Sequence, residues 1–137
     1  MARKRYAQLA HTADVGIIAY GKSMDELFAN AAAGMFSLIT DLRQVRKVGE
    51  YNVRLQDDTP EDLMVAWLNE LLYLHETQKL LLKDFKVKVG RNKLEARVGG
   101  ELMDRARHHL HMVVKAVTYH MIEVSPRKGV AKVIFDI

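Results

Sequence analysis

Two helix starts, each followed by an apolar repeat of helical period, lie among stretches of alternating apolar and polar residues. They limit the folds open to this chain. In Ser23-Met24-Asp25-Glu26 the Ser23 hydroxyl can accept the Glu26 amide while the Glu26 side chain reaches back, which is a capping box. Leu27, Ala31, Met35 and Leu38 then recur at helical spacing, flanked by Phe28, Ala32 and Ile39, and predict about four turns. In Thr59-Pro60-Glu61-Asp62, Thr59 caps, Pro60 suits the first helical position and the acids favour the positive dipole end. This second helix is expected to run to Gln78, with Leu63, Trp67, Leu71 and Leu74 on one stripe.

The rest reads as strand. Residues 5–10 and 15–20 form two short strands around His11-Thr12-Ala13-Asp14, and residues 50–56 alternate Tyr51, Val53 and Leu55 with polar neighbours. Phe85, Val87 and Val89, then Leu94, Ala96 and Val98, alternate with charged residues on either side of Gly90-Arg91-Asn92 and predict a hairpin. Residues 101–112 read as a charged, mobile loop, residues 113–124 as one β-branched strand and residues 130–135 as the last strand. The order ββαβαββββ predicts an α+β fold, a single domain over residues 1–137 with two helices packed on one mainly antiparallel sheet. Pro60 and Pro126 both fall at element edges, as a fold without linkers requires.

Composition removes several classes. With no cysteine there are no disulfides, thiolate zinc sites or cysteine nucleophiles, and a reducing cytoplasm is the simplest home. No apolar run is long enough to span a bilayer, and no apolar segment of signal type follows the basic Met1-Ala2-Arg3-Lys4-Arg5. The chain has no Walker-type loop, GxGxxG, nucleophile elbow or HExxH. A net charge of +4 is gathered in patches at residues 3–5, 43–47, 83–97 and 105–111. Such patches are solvated faces or contacts for RNA or another acidic partner.

Five groups of residues hold candidate chemistry. Asp14 is a carboxylate at a polar break between strands, suited to a cation or a proton, or else part of a turn that satisfies its own backbone. Asp136 and the terminal carboxylate of Ile137 are two anionic groups one residue apart. Held in an ordered strand end, they repel unless a cation or basic side chain is near, and an all-oxygen set favours Ca²⁺, Mg²⁺ or Mn²⁺. Lys115 and Tyr119 fall on one face of the expected strand over 113–124, where they either line a phosphate or carboxylate site or pack at the sheet margin. His108-His109-Leu110-His111 matches no standard zinc spacing. Glu70 lies in an otherwise apolar helical stretch, where a carboxylate usually has a partner.

Four motifs taken together resemble the archease family. They are His11-Thr12-Ala13-Asp14-Val15-Gly16, Trp67-Leu68-Asn69-Glu70-Leu71-Leu72, Lys115-Ala116-Val117-Thr118-Tyr119-His120 and Val133-Ile134-Phe135-Asp136-Ile137, in order along the whole chain. The resemblance implies a non-enzymatic activator of the RtcB-type tRNA-splicing ligase, which joins RNA ends using GTP and Mn²⁺. It implies promotion of that ligase's guanylylation and multiple turnover in tRNA splicing, with tRNA an indirect partner. It carries a divalent-metal site, with calcium expected and Mg²⁺ or Mn²⁺ admissible, onto Asp14, Asp136 and Ile137. His11, Glu70, Lys115 and Tyr119 match supporting or ligase-contact positions. Two other classes stay open: an RNA-binding module or chaperone, read from the basic patches, and a small metal-dependent hydrolase built on the same acids.

Overall fold

The computed structural model describes residues 4–10 and 14–137. Strands β1 (Tyr6–Ala10) and β2 (Val15–Tyr20) lead into helix α1 (Met24–Ile39). Ser23 caps its start as expected, its hydroxyl accepting the Glu26 amide at 3.2 Å, while the Glu26 carboxylate reaches back one residue further than a capping box, to accept the Lys22 amide at 3.3 Å. Strand β3 (Gly49–Gln56) precedes α2 (Pro60–Gln78), which Thr59 caps by accepting the Asp62 amide at 3.0 Å. Strands β4 (Leu80–Gly90) and β5 (Lys93–Leu102) form the expected hairpin, with Asn92 in the left-handed region at the turn. Strands β6 (Ala116–Val117), β7 (Glu123–Ser125) and β8 (Val130–Asp136) complete the chain.

The α+β class stands as expected, but the single sheet is two. One sheet runs β1-β2-β8-β6, with β7 also on β8; the other runs β3-β5-β4, and every pairing is antiparallel. Helix α1 packs on β4 of one sheet and on β1, β2 and β8 of the other, so it lies between them. A single sheet leaves one face of such a helix in water. The helix is too apolar for that, with Leu27, Phe28, Ala31, Ala32, Met35, Phe36, Leu38 and Ile39 all buried. Phe85 on β4 joins the layers, stacked on Phe36 of α1 and edge-on to Trp67 of α2. The buried Trp67 indole N–H donates to the Phe28 carbonyl at 2.9 Å and ties the two helices. No helix among the described residues is long and apolar enough to cross a membrane.

Two other expectations are corrected. Residues 113–124 are not one strand. Strand β2 occupies one edge of β8, and β6 and β7 share the other, with a turn between them. The Thr118 amide and hydroxyl both donate to the Ile134 carbonyl, at 3.0 and 2.9 Å, and Met121 takes a left-handed φ of 53° that no continuous strand tolerates. Residues 103–112 are largely loop and turn as expected, with Asp104, Arg105, His109 and His111 exposed, but residues 101 and 102 belong to β5 and the loop is not free. Glu101 belongs to β5 and is 8% exposed, and His108 is buried beside it. The segment is also fastened to the end of α1: the Thr40 hydroxyl donates to the His109 carbonyl at 2.8 Å, and the His111 amide donates to the Ile39 carbonyl at 2.8 Å.

Candidate functional site

The register of β2 on β8 decides what gathers at one end of the larger sheet. Val15 pairs with Phe135 and Gly16 with Ile134. Ile17, Ala19, Val133 and Phe135 are fully buried, so the odd-numbered positions of both strands face the helices. Asp14 and Asp136 are even-numbered and one step beyond the Val15–Phe135 pair, so the register continued by one residue sets them opposite each other on the outer face. Directly opposed residues in an antiparallel pair have Cα atoms about 4.5–5.5 Å apart. Asp14 is half-buried and Asp136 exposed, and among the described residues no ion pair engages either carboxylate.

The neighbouring backbone is tightly held. On the far edge of β8, Ala116 pairs with Asp136, and the Lys115 amide donates to the Asp136 carbonyl at 2.8 Å. Helix α2 supports β6 from behind, because the Asn69 side-chain oxygen accepts the Val117 amide at 3.3 Å. Gly16 lets the two strands close. A Cβ there would stand 2.7 Å from both the Val133 carbonyl oxygen and the Ile134 side chain, nearer than real Cβ atoms come.

The other candidates separate. Lys115 is exposed beside this acidic end, and Glu70, next to Asn69, is half-buried; no hydrogen bond or ion pair among the described residues reaches the Glu70 carboxylate. His11 lies outside the described residues. Tyr119 does not share a strand face with Lys115, because the strand breaks after Val117. Its hydroxyl donates to Asp62 Oδ1 at 2.7 Å in the first turn of α2. That bond, with desolvation and the Asp62 charge behind it, pushes the Tyr119 phenol above its ordinary range. Along α2, Asp62 is about 10 Å from Asn69. The histidines form no site together: His108 is buried, while the His109 and His111 rings meet edge to face at 5.3 Å.

His108 instead belongs to a buried polar knot. Its Nδ1 accepts the Asp104 amide at 2.9 Å, so Nε2 is the nitrogen that donates, to Glu101 at 3.0 Å. Burial alone would raise the Glu101 carboxyl. The Arg46 amide, the Arg107 guanidinium and His108 outweigh it and hold the group down to about 2. Such an environment keeps a carboxylate ionised and fully occupied, which suits a structural role.

The donor chemistry of the acidic end fits a hard cation: two carboxylates on one face, backbone carbonyls, and no sulfur or imidazole among its described groups. Among the described residues, no cluster of three or more His, Cys, Asp or Glu side chains is placed to hold a metal. Asn69 and Gly16 were not singled out as site residues by reading the sequence. Asn69 had a visible signal, a polar residue beside the core stripe of α2, whereas the need for a bare Cα at Gly16 arises only from the β2–β8 approach.

Residues 6–137 match the sequence model of the Archease protein family. The chain is 34% identical over 125 residues to an archease of Pyrococcus furiosus, covering 88% of each chain. It is 37% identical over 141 aligned positions to an archease of Methanosarcina mazei, covering 98% of this chain and 97% of the relative. The solution structure of a Methanobacterium thermoautotrophicum protein superposes with a TM-score of 0.79 at 35% identity, over 97% of this chain and 99% of the other. The crystal structure of a Thermotoga maritima archease, described as a possible chaperone, shares the fold with a TM-score of 0.57 at 21% identity, over 100% of this chain and 98% of the other.

Proposed function

The chain belongs to the archease family, and from that premise we propose that it is a non-enzymatic activator of an RtcB-type tRNA-splicing ligase, working in the cytoplasm through a divalent-cation site. What supports this reading best is the β2–β8 register, which, continued one residue past Val15–Phe135, brings Asp14 opposite Asp136 at the end of the larger sheet. Two carboxylates so close repel each other, and a divalent cation relieves that repulsion. Asp14, Asp136 and the Ile137 carboxylate would hold Ca²⁺, or Mg²⁺ or Mn²⁺ in its place. When bound, the ion supplies a concentrated positive charge at a surface a partner can reach. The chain's own part is to fix the ligands: Gly16 lets β2 approach β8, and Asn69 anchors β6 against α2. Exposed Lys115 and half-buried Glu70 border the same end and would meet the ligase there.

A catalytic role has less support. A metal-dependent hydrolase needs a general base and an open coordination position beside its metal. The most strongly shifted carboxylate described, Glu101, is tied up by three partners of its own. The test is a titration of this protein, at substoichiometric amounts, into its cognate ligase with GTP, Mn²⁺ and RNA ends. The reaction should pass from single to multiple turnover, while the protein alone neither joins RNA nor hydrolyses GTP. Product yield that stays flat across the titration rejects the activator reading.

A further inference from the structure

The outward face of the β3-β5-β4 sheet concentrates the charge of the molecule. Cross-strand register makes two rows across it, Asn52–Arg97–Lys86 and Arg54–Glu95–Lys88, with Lys93 beyond them toward the hairpin turn. Lys47 lies over Gly99 at the opposite end. The six cations of this face stand against only Glu50, Asp84 and Glu95, so it carries most of the chain's net charge of +4. The ion pairs on it are loose. Arg54 is 3.9 Å from Glu95 and Arg97 is 3.8 Å from Glu50, with the two arginine side chains 83% and 62% exposed. The cations are therefore held in place by the sheet and not neutralised by their neighbours. Between the rows lies an open depression of about 440 Å³, bordered by Arg54, Lys86, Lys88 and Arg97.

We propose that this face binds RNA through its phosphodiester backbone. Arg97 and Lys86 are direct cross-strand neighbours, about 5 Å apart at their Cα atoms, Lys86 and Lys88 stand about 6.8 Å apart along β4, and Glu95 separates Lys88 from Arg54, so the cations form a fixed array facing water. Protein partners are gripped mainly by aromatic and apolar anchors in desolvated pockets. None of the large exposed hydrophobic side chains of this protein falls in either row, and the aromatic side chains of this sheet, Tyr51 and Phe85, pack against the core from its other face. Without an aromatic platform the face cannot stack unpaired bases, so it reads phosphates and not sequence. Arginine and lysine side chains with high exposure suit that task, since each phosphate contact releases a counterion. The proposal concerns a different surface from the acidic end and stands without the activator reading.

Fluorescence anisotropy of the full chain against a labelled tRNA transcript, with no ligase present, tests it. Binding should weaken from about 50 to about 300 mM KCl with a log–log slope of about −2 to −4, and an unrelated stem-loop of equal length should bind equally well. The Lys86→Glu, Lys88→Glu variant should bind at least about tenfold more weakly at low salt and flatten the slope by about 2. Both side chains are exposed, so the fold should survive, as circular dichroism melts will report. Arg127→Glu with Lys128→Glu, a charge reversal of the same size in the turn before β8, should change affinity by less than about twofold. Absence of binding at the lowest salt overturns the proposal, as does binding indifferent to the Lys86 and Lys88 reversals. Equally tight binding of poly-glutamate, which marks a docking face for acidic protein, overturns it too.

Discussion

Asp14 precedes a strand and Asp136 ends one, 122 positions apart in the chain, and neither is unusual until β2 lies against β8. Replacing either by alanine removes one of the proposed oxygen ligands at the sheet end without touching the core. Asp14→Ala and Asp136→Ala should therefore each abolish Ca²⁺ and Mn²⁺ binding in calorimetric titration, and ligase activation with it, while the melting temperature stays near wild type. Full activation by a well-folded double variant would falsify the metal-dependent mechanism. Gly16 acts through space and not through charge. Gly16→Ala sets a methyl 2.7 Å from the Val133 carbonyl oxygen, which belongs to the backbone and cannot swing aside. A loss of about 1–3 kcal/mol in urea unfolding is expected, together with weaker metal binding, because β2 must move off β8.

Among the elements, the stretch from β5 to β6 departs furthest from its sequence pattern. A run rich in arginine and histidine reads as solvated, yet Glu101 draws His108 and Arg107 inward and fastens the segment over the sheet. Glu101 titrates near 2 when folded, against an ordinary 4.5. The stability it contributes is complete above pH 4.5 and is lost as the pH falls from there through about 2. Glu101→Gln should cost about 2 kcal/mol at pH 7, because a charged acceptor of several hydrogen bonds is lost. The gap from wild type should narrow steadily in urea melts taken between pH 5 and pH 3, as wild type itself loses the charge. A gap that is constant with pH assigns the cost to packing and not to charge.

For the whole molecule, two sheets share one helical layer, and an aromatic cluster joins that layer to the smaller sheet. Trp67, Phe28, Phe36 and Phe85 connect α2, α1 and β4. Trp67→Phe removes part of that volume and the indole bond that the Phe28 carbonyl accepts beside its own helix bond, a cost of about 2–3 kcal/mol. For a chain of this size the melting temperature should fall by about 6–12 °C. The loss should appear as one transition followed at both far-ultraviolet and near-ultraviolet wavelengths, since both sheets pack on the same two helices.

Local chemistry was legible in the chain. The caps at Ser23 and Thr59, the period of the two helices, the alternation in β3, β4 and β5, and the four motifs that resemble the archease family need only neighbouring residues, and they led to the α+β class and the family. Contacts between distant segments were not legible. That β8 meets β2 depends on strands about a hundred or more residues apart, and that its other edge is shared by β6 and β7 depends on the chain breaking after Val117. The split of the sheet in two follows from a helix with too much apolar surface for a single sheet to cover. The burial of Glu101 depends on an arginine and a histidine six and seven residues on that turn back over it. Periodicity records which face a residue prefers, whereas pairing and burial depend on what that face meets, and only the tertiary structure decides that.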